Sequence, residues 1–123
     1  MDFSNEPPVY RASYILTLEA LRFVKDCDKN FKFTLGVALQ KAVLEMDLLI
    51  YVINESEHKE EALSRAINKV YFVRMILRAF IDLGIMKLDT SVSLNLRLES
   101  LLQQLTSWKN SCRSKDKSDS LLG

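Results

Sequence analysis

The residue types that most often carry enzyme chemistry are few in this sequence and poorly placed for it. The single histidine, His58, lies in the polar segment SEHKE without a neighbour at metal-ligand spacing, so we expect an ordinary surface histidine. Carboxylates are scattered along the chain, at Glu19, Glu45, Asp47, Asp82 and Glu99. There is no paired Glu-x-x-His motif for a di-iron bundle, no glycine-rich phosphate loop and no nucleophile elbow. The sequence therefore predicts no enzyme: no catalytic or metal site, no cofactor and no small-molecule substrate.

Two cysteines, Cys27 and Cys112, lie near opposite ends of the sequence and form no CxxC motif. We expect two free thiols in a reducing cytoplasm; a disulfide or a redox pair is the alternative.

The segment MDFSNEPPVY lacks the basic and apolar regions of a signal peptide. The longest segment without a charged residue, Ser100–Trp108, has nine residues, whereas a membrane helix needs about 20. The sequence thus predicts a cytoplasmic protein without a membrane span.

Lysine and arginine side chains are the remaining candidates for binding a charged partner. Their number, 17, nearly balances the 16 acidic residues, for a net charge of +1, so no strong overall field attracts nucleic acid. Three groups could still contact phosphate: Lys25, Lys29 and Lys32; Arg65 and Lys69; and Lys109, Arg113, Lys115 and Lys117. The alternative is an ordinary solvated surface, because aspartates interrupt the first and third groups.

The elements that position these residues are predicted to be helices. The chain has 123 residues, of which 48% are apolar and only three are glycine and two proline, which favours one helical domain. Apolar periodicity predicts helices over about 9–26, 35–55, 60–83 and 90–110, with Gly84 just beyond the third. Short connections between such helices predict an antiparallel up-down-up-down four-helix bundle over 1–110. Residues 111–123 are predicted to be a flexible polar tail.

Successive residues of an α-helix are rotated by about 100°, and on this basis two of the predicted helices have apolar residues on two sides. The second has one row at Leu35, Leu39, Ala42, Met46, Leu49 and Ile53, and another at Val37, Leu44, Leu48 and Tyr51. The third has a core row at Leu63, Ile67, Val70, Leu77 and Ile81, and an opposite row at Phe72, Met75, Ile76 and Ala79. A bundle buries one face of each helix, so the second rows predict a homo-oligomer interface. The alternative is that the end of the first helix, residues 1–9 or the terminal SLLG covers them.

Two arginines of the third helix stand out. Arg74 falls in the predicted core row and Arg78 lies on its flank. A buried arginine requires partners, and Glu45 or Asp47 are candidates across the bundle or across an interface. The alternative is an arginine whose stem packs while its head reaches the rim. We expect both arginines to fix packing or the subunit interface.

Three segments carry a resemblance to a known family: FKFTLGVALQKAVLEMDLLI, VYFVRMILRAFIDLGI and LESLLQQLTSW. The shared features are an opening Phe33-Thr34-Leu35-Gly36, the pair Arg74 and Arg78, Leu83-Gly84-Ile85, and a closing Trp108. Over residues 31–108 this resembles the four-helix-bundle family of the accessory variability determinant (Avd) of diversity-generating retroelements. The same family includes bundles encoded in intervening sequences of bacterial 23S ribosomal RNA genes.

The resemblance implies a pentameric barrel of bundles that associates with a reverse transcriptase and binds RNA or cDNA during mutagenic retrohoming. The second apolar rows agree with such an oligomer. Two features depart from the family: Thr106 and Ser107 replace a frequent pair of glycines, and the chain is near neutral rather than strongly basic. A self-assembling structural bundle of the ribosomal intervening-sequence type is the alternative function.

Overall fold

Long helices dominate this chain. The computed structural model describes the backbone of residues 6–122 and the side chains of residues 6–115, and no strand lies in that range. The helices are α1 (Pro8–Lys25), α2 (Lys29–Lys32), α3 (Leu35–Tyr51), α4 (Lys59–Asp82) and α5 (Leu88–Leu122), with a short 3₁₀ turn at Ile53–Glu55. The all-helical prediction is confirmed. None of these helices is both long and apolar enough to cross a membrane.

The ends of α1 and α4 follow from local backbone chemistry. Pro8 begins α1, where its missing N–H leaves no hydrogen bond unmade. Gly84 follows α4 at a φ of 72°, a left-handed conformation that favours glycine. The N–H of Gly84 donates to the Ile81 carbonyl and that of Ile85 donates to the Phe80 carbonyl, both at 3.0 Å. These hydrogen bonds form a Schellman motif, and Gly84 lies just beyond the helix as predicted.

Helix α5 runs further than its predicted end near residue 110. The sequence contains no glycine or proline between residues 88 and 122, so nothing in the backbone chemistry stops the helix. Near the predicted end, Arg113 Nη2 lies 2.9 Å from Glu60 Oε1 at the start of α4. The segment that composition marks as a polar tail is therefore helical through Leu122.

The core is formed where α1 and α4 each pack against both α3 and α5. Buried side chains recur at heptad spacing along α3 and into the 3₁₀ turn, at Leu39, Val43, Met46, Ile50 and Ile53. They recur in the same way along α4, at Leu63, Ala66, Val70, Val73, Leu77 and Phe80. The α4 row lies about 45° from the predicted one, because it takes in Val73 and Phe80 rather than Ile67 and Ile81. The Phe80 ring also packs nearly perpendicular to the Phe23 ring of α1, with centroids 4.9 Å apart.

Each pair of neighbouring long helices is also joined by polar contacts. Ion pairs connect α3 to α4 (Glu45–Lys69, 2.8 Å), α4 to α5 (Arg74–Glu99, 3.4 Å) and α5 to α1 (Arg97–Glu19, 2.5 Å). Between α1 and α3, the buried Ser13 hydroxyl donates to the Asp47 carboxylate. Exposed ion pairs each contribute only about 0–1 kcal/mol, so they fix helix register more than they add stability.

Candidate self-association and nucleic-acid surfaces

The second apolar row of α3 is open to solvent. Val37, Leu44, Leu48 and Tyr51 are all exposed, with Leu44 at 55% and Leu48 at 65%. They lie roughly 160° around the helix from the buried row that ends at Ile53. The exposure predicted for these four residues is confirmed, and we call them the outer row of α3. Leucines exposed to this degree forfeit most of the roughly 1.5–3 kcal/mol that each gains on burial.

The corresponding row of α4 is only partly as predicted. Phe72 and Met75 are exposed and Ala79 is half-buried; these three form the outer row of α4. Ile76 is only 4% exposed, so its predicted place on the open face is wrong. The physical reason is the rotated core row, which puts Ile76 on the edge of the core, about 40° from Phe72 and toward the buried side.

A further apolar surface, on α5, is not among the predicted site residues. Leu88, Val92 and Leu96 are exposed at a spacing of four residues, which could have revealed a helical stripe. Leu96 lines a cleft of about 600 Å³ between α4 and α5, together with Tyr71 and the Arg74–Glu99 ion pair. Tyr71 is itself exposed and was likewise missed. This surface lies on a different side of the protein from the outer row of α3.

Tyr51 at the end of the α3 outer row contacts both the first turn of α1 and the segment before it. Its ring stacks on that of Tyr10, with centroids 4.9 Å apart and planes 18° apart. The Tyr51 hydroxyl donates to Glu6 Oε1 at 2.9 Å, and this hydrogen bond raises the pKa of the Tyr51 hydroxyl. The contact with Glu6 does not cover the rest of the row, because Leu44 and Leu48 are still exposed. Residues 1–5 and the side chains of the terminal SLLG, the other proposed covers, lie outside the described residues.

The structure does not gather the predicted phosphate-binding cations onto one surface. Lys25, Lys29 and Lys32 lie around the end of α1 and α2, where the Lys32 ammonium donates to the Lys25 carbonyl at 3.1 Å. Arg113 lies at the other end of α4, paired with Glu60. Helix α4 has 24 residues, so these groups are separated by about 36 Å along it. In one copy the groups therefore act as separate patches.

Arg65 is the open cation of the α4 group. Its neighbour Lys69 is engaged twice: it pairs with Glu45 at 2.8 Å, and its ammonium lies 5.2 Å from the centre of the Phe72 ring. The hydrogen bond from Lys69 lowers the pKa of the Glu45 carboxyl. Arg65 is exposed and forms none of the ion pairs seen among residues 6–115. Any phosphate contact on this face falls first to Arg65.

The third group of predicted cations lies along the end of α5. Lys115 is exposed, Lys109 is half-buried, and Arg113 is committed to Glu60. The side chain of Lys117 lies outside the described residues. This group offers one clearly open cation among the side chains that the structure describes.

The residues predicted to be structural occupy varied positions. Arg74 is exposed and pairs with Glu99, so its predicted place in the core is wrong; the rotated core row leaves it on the rim. Arg78 Nε donates to Asp82 on the same helix at 3.0 Å. Trp108 is half-buried against the core. Among the side chains of residues 6–115, Arg74 pairs with another helix and Arg78 pairs within its own.

The groups capable of chemistry remain dispersed. His58 is exposed just before α4, and the described side chains contain no cluster of three or more histidine, cysteine or carboxylate groups placed to hold a metal ion. Both cysteines are free thiols, and burial raises the pKa of the Cys27 thiol. Cys27 borders an open cleft of about 690 Å³ where α1, α2 and the α4–α5 turn meet.

No family model matches the chain, and no curated protein matches it significantly. Its function is therefore inferred from its own surfaces and from the resemblance carried by residues 31–108.

Proposed function

We propose that this chain is a non-enzymatic, self-associating helical subunit, and that other copies of it cover the outer rows of α3 and α4. One observation carries the proposal: large apolar side chains on two adjacent helices, Leu44, Leu48, Phe72 and Met75 among them, are exposed in the single chain. Exposed apolar rows of this kind are typical of interaction sites. Its desolvation is the driving force for assembly.

We also infer that the four long helices form an antiparallel up-down-up-down bundle. Tyr10 at the start of α1 stacks on Tyr51 at the end of α3, which supports opposite directions for these two helices. The pairing of Arg113, late in α5, with Glu60 at the start of α4 supports the same relation for that pair. Such a bundle leaves the outer side of each helix free for contacts between copies.

We further propose that the assembly serves as an accessory subunit of a diversity-generating retroelement in the cytoplasm. The support is the Avd-like pattern from Phe33 to Trp108 together with the open apolar rows, which suit a pentameric barrel. In this role the oligomer binds the reverse transcriptase and its RNA or cDNA. A ring repeats each weak cationic patch several times, so Arg65 and the lysines at the α1–α2 end act together although one copy is near neutral.

A structural bundle of the ribosomal intervening-sequence type is the second candidate. The observation in its favour is that Lys69 and Arg113 are already neutralised by Glu45 and Glu60. It requires the same assembly but no nucleic-acid contact by this chain.

Two measurements test these proposals in order. Sedimentation equilibrium should give a mass several times 14.2 kDa; a monomer at micromolar concentration would refute self-association. Binding of the oligomer to structured RNA and to an RNA–DNA hybrid should then fall steeply with salt. An oligomer that binds neither nucleic acid at low salt, nor a reverse transcriptase encoded beside it, would support the structural candidate instead.

A further inference from the structure

Helices α3 and α4 each carry two heptad rows, one buried and one exposed except at the half-buried Ala79. On α3 each residue of the exposed row lies two positions before a residue of the buried row. The exposed row is Val37, Lys41, Leu44, Leu48 and Tyr51. On α4 each residue of the outward row lies two positions after a residue of the buried row. This row is Arg65, Asn68, Phe72, Met75, Ala79 and Asp82. We call these the α3 seam and the α4 seam; they contain the outer rows together with the polar positions between and beyond them.

The spacing within each seam matches that of helices that pair by knobs-into-holes packing. Alternating steps of three and four residues keep side chains on one line when two helices wind around each other. Single polar residues in such a line set register, because a mismatched register buries them without a partner. Lys41 in the α3 seam and Asp82 in the α4 seam are exposed polar positions of this kind, and they carry opposite charges.

We propose that the α3 seam of one copy packs antiparallel against the α4 seam of a second copy, with Lys41 opposite Asp82. The inference rests on the proposed self-association and specifies its geometry. In an antiparallel pair, residue numbers rise along one helix as they fall along the other, so facing residues have a constant sum. The register that pairs Lys41 with Asp82 therefore also places Leu44 opposite Ala79, Leu48 opposite Met75 and Tyr51 opposite Phe72. Each pair sets a large side chain from α3 against an apolar partner on α4, and the ion pair closes one end.

Other pairings satisfy fewer of these side chains. A parallel register that also matches the apolar positions sets Lys41 against Phe72 and Asp82 against Tyr51, which separates the two charges. Pairing α3 with α3 of a second copy buries Leu44 and Leu48 but leaves Phe72 and Met75 in water. Charge complementarity and coverage of the large apolar side chains at Leu44, Leu48, Phe72 and Met75 select the antiparallel α3–α4 contact.

The contact is head-to-tail, since each copy uses two different surfaces. After two copies pair through one such contact, one still has a free α4 seam and the other a free α3 seam. Growth then continues until a ring closes, or extends as a filament where the rotation between copies does not close. The charges around the seams do not oppose this burial, because each has an oppositely charged neighbour within its own copy: Glu45 lies near both Lys69 and Lys41, and Arg78 pairs with Asp82. Arg78 remains beside Asp82 and would share that carboxylate with Lys41.

Charge reversal tests the register. Lys41→Glu and Asp82→Lys should each weaken self-association about tenfold, the effect of about 1.4 kcal/mol, while the double variant should recover most of the wild-type affinity. Lys87→Glu, an exposed reversal in the α4–α5 turn, should leave association unchanged. Circular dichroism and thermal unfolding should show all variants folded, since each change is on the surface.

The outcomes separate the two proposals. A monomeric wild-type chain refutes self-association itself. A wild-type oligomer that is unaffected by the single variants, or is weakened by them without recovery in the double variant, refutes the Lys41–Asp82 register while self-association stands.

Discussion

The Lys69 ammonium lies 2.8 Å from Glu45 Oε2 and 5.2 Å from the centre of the Phe72 ring. One side chain thus joins α4 to α3 and lies beside an exposed aromatic ring of the α4 outer row. It is no longer an unpaired cation, although sequence alone places it among the candidates for phosphate binding. Its neighbour Arg65 has no ion pair among residues 6–115, so the two cations should behave differently when each is removed.

Arg65→Gln should therefore weaken RNA binding by the oligomer more than Lys69→Gln does. Loss of one open phosphate contact per copy lowers both the affinity and the slope of its salt dependence, whereas Lys69 must first leave Glu45. Titrations at several salt concentrations provide the measurement. Equal losses for the two variants would contradict the inequality, and Lys87→Gln, which removes an exposed lysine outside the candidate groups, serves as the control.

Leu48→Glu should disrupt the oligomer, whereas Leu96→Glu should not. The two leucines are 65% and 67% exposed in the single chain, so the substitutions cost similarly little in the monomer. Only Leu48 lies in the seam proposed to contact another copy, where a buried carboxylate would be strongly unfavourable. Sedimentation velocity of both variants gives the comparison. Dissociation by Leu96→Glu but not by Leu48→Glu would move the interface to α5.

Asp47→Asn should stabilise the protein at neutral pH. Burial between α1 and α3 raises the pKa of the Asp47 carboxyl, although hydroxyls from Ser13 and Thr17 oppose the rise. A raised pKa means that the native state binds this proton more tightly than the unfolded state. The stabilisation from this tighter proton binding is complete below the ordinary aspartate pKa of about 3.9. It is lost as the pH rises through the raised pKa of Asp47 in the native state. Asparagine avoids the buried charge and keeps an oxygen to accept from Ser13.

We expect a gain in the free energy of unfolding at pH 7, kept small by the partial exposure of the carboxyl. The gain should shrink toward zero near pH 3. Urea unfolding at both pH values measures it, with Glu57→Gln, an exposed loop carboxylate, as the control for net charge. A gain that is constant with pH would show that ionisation is not its cause.

Gly84→Ala should destabilise the fold by about 1–2 kcal/mol through backbone strain alone. The φ of 72° is in the left-handed region, and a Cβ at this position would meet nothing within 4 Å. Gly84→Asn should cost less, because asparagine tolerates this conformation better than alanine does. Thermal or urea unfolding of the two variants tests the order. An alanine variant as stable as the wild type would show that the turn can change its conformation at little cost.

The sequence predicts the helices and the α3 outer row well, because α3 has two apolar rows separated by polar positions. It fails on α4 for a specific reason. Apolar residues lie on almost every side of VYFVRMILRAF, so two choices of core row fit its periodicity about equally. Packing of Val73 and Phe80 against the other helices decides between them. That choice exposes Arg74 and buries Ile76, against the prediction.

The candidate binding cations could be listed from the sequence but not ranked. Ranking depends on which carboxylate each cation meets across a helix boundary, as with Arg113 and Glu60, 53 positions apart in the chain. Sequence spacing carries no information about such pairs. The exposed stripe of Leu88, Val92 and Leu96 could have been predicted, since its four-residue spacing is visible in the sequence. The core row of the same helix dominates the apolar pattern and obscures it.

The α5 helix continues about nine residues past Arg113, or about 14 Å, beyond its contact with the start of α4. Copies joined through antiparallel α3–α4 seams all point the same way, so every such extension would emerge from one rim of the ring. The two sides of the ring would then differ. The projecting ends of α5 would lie on one side, and the α1–α2 ends with their lysines would lie on the other. An elongated partner could therefore distinguish one side from the other even though all the subunits are identical.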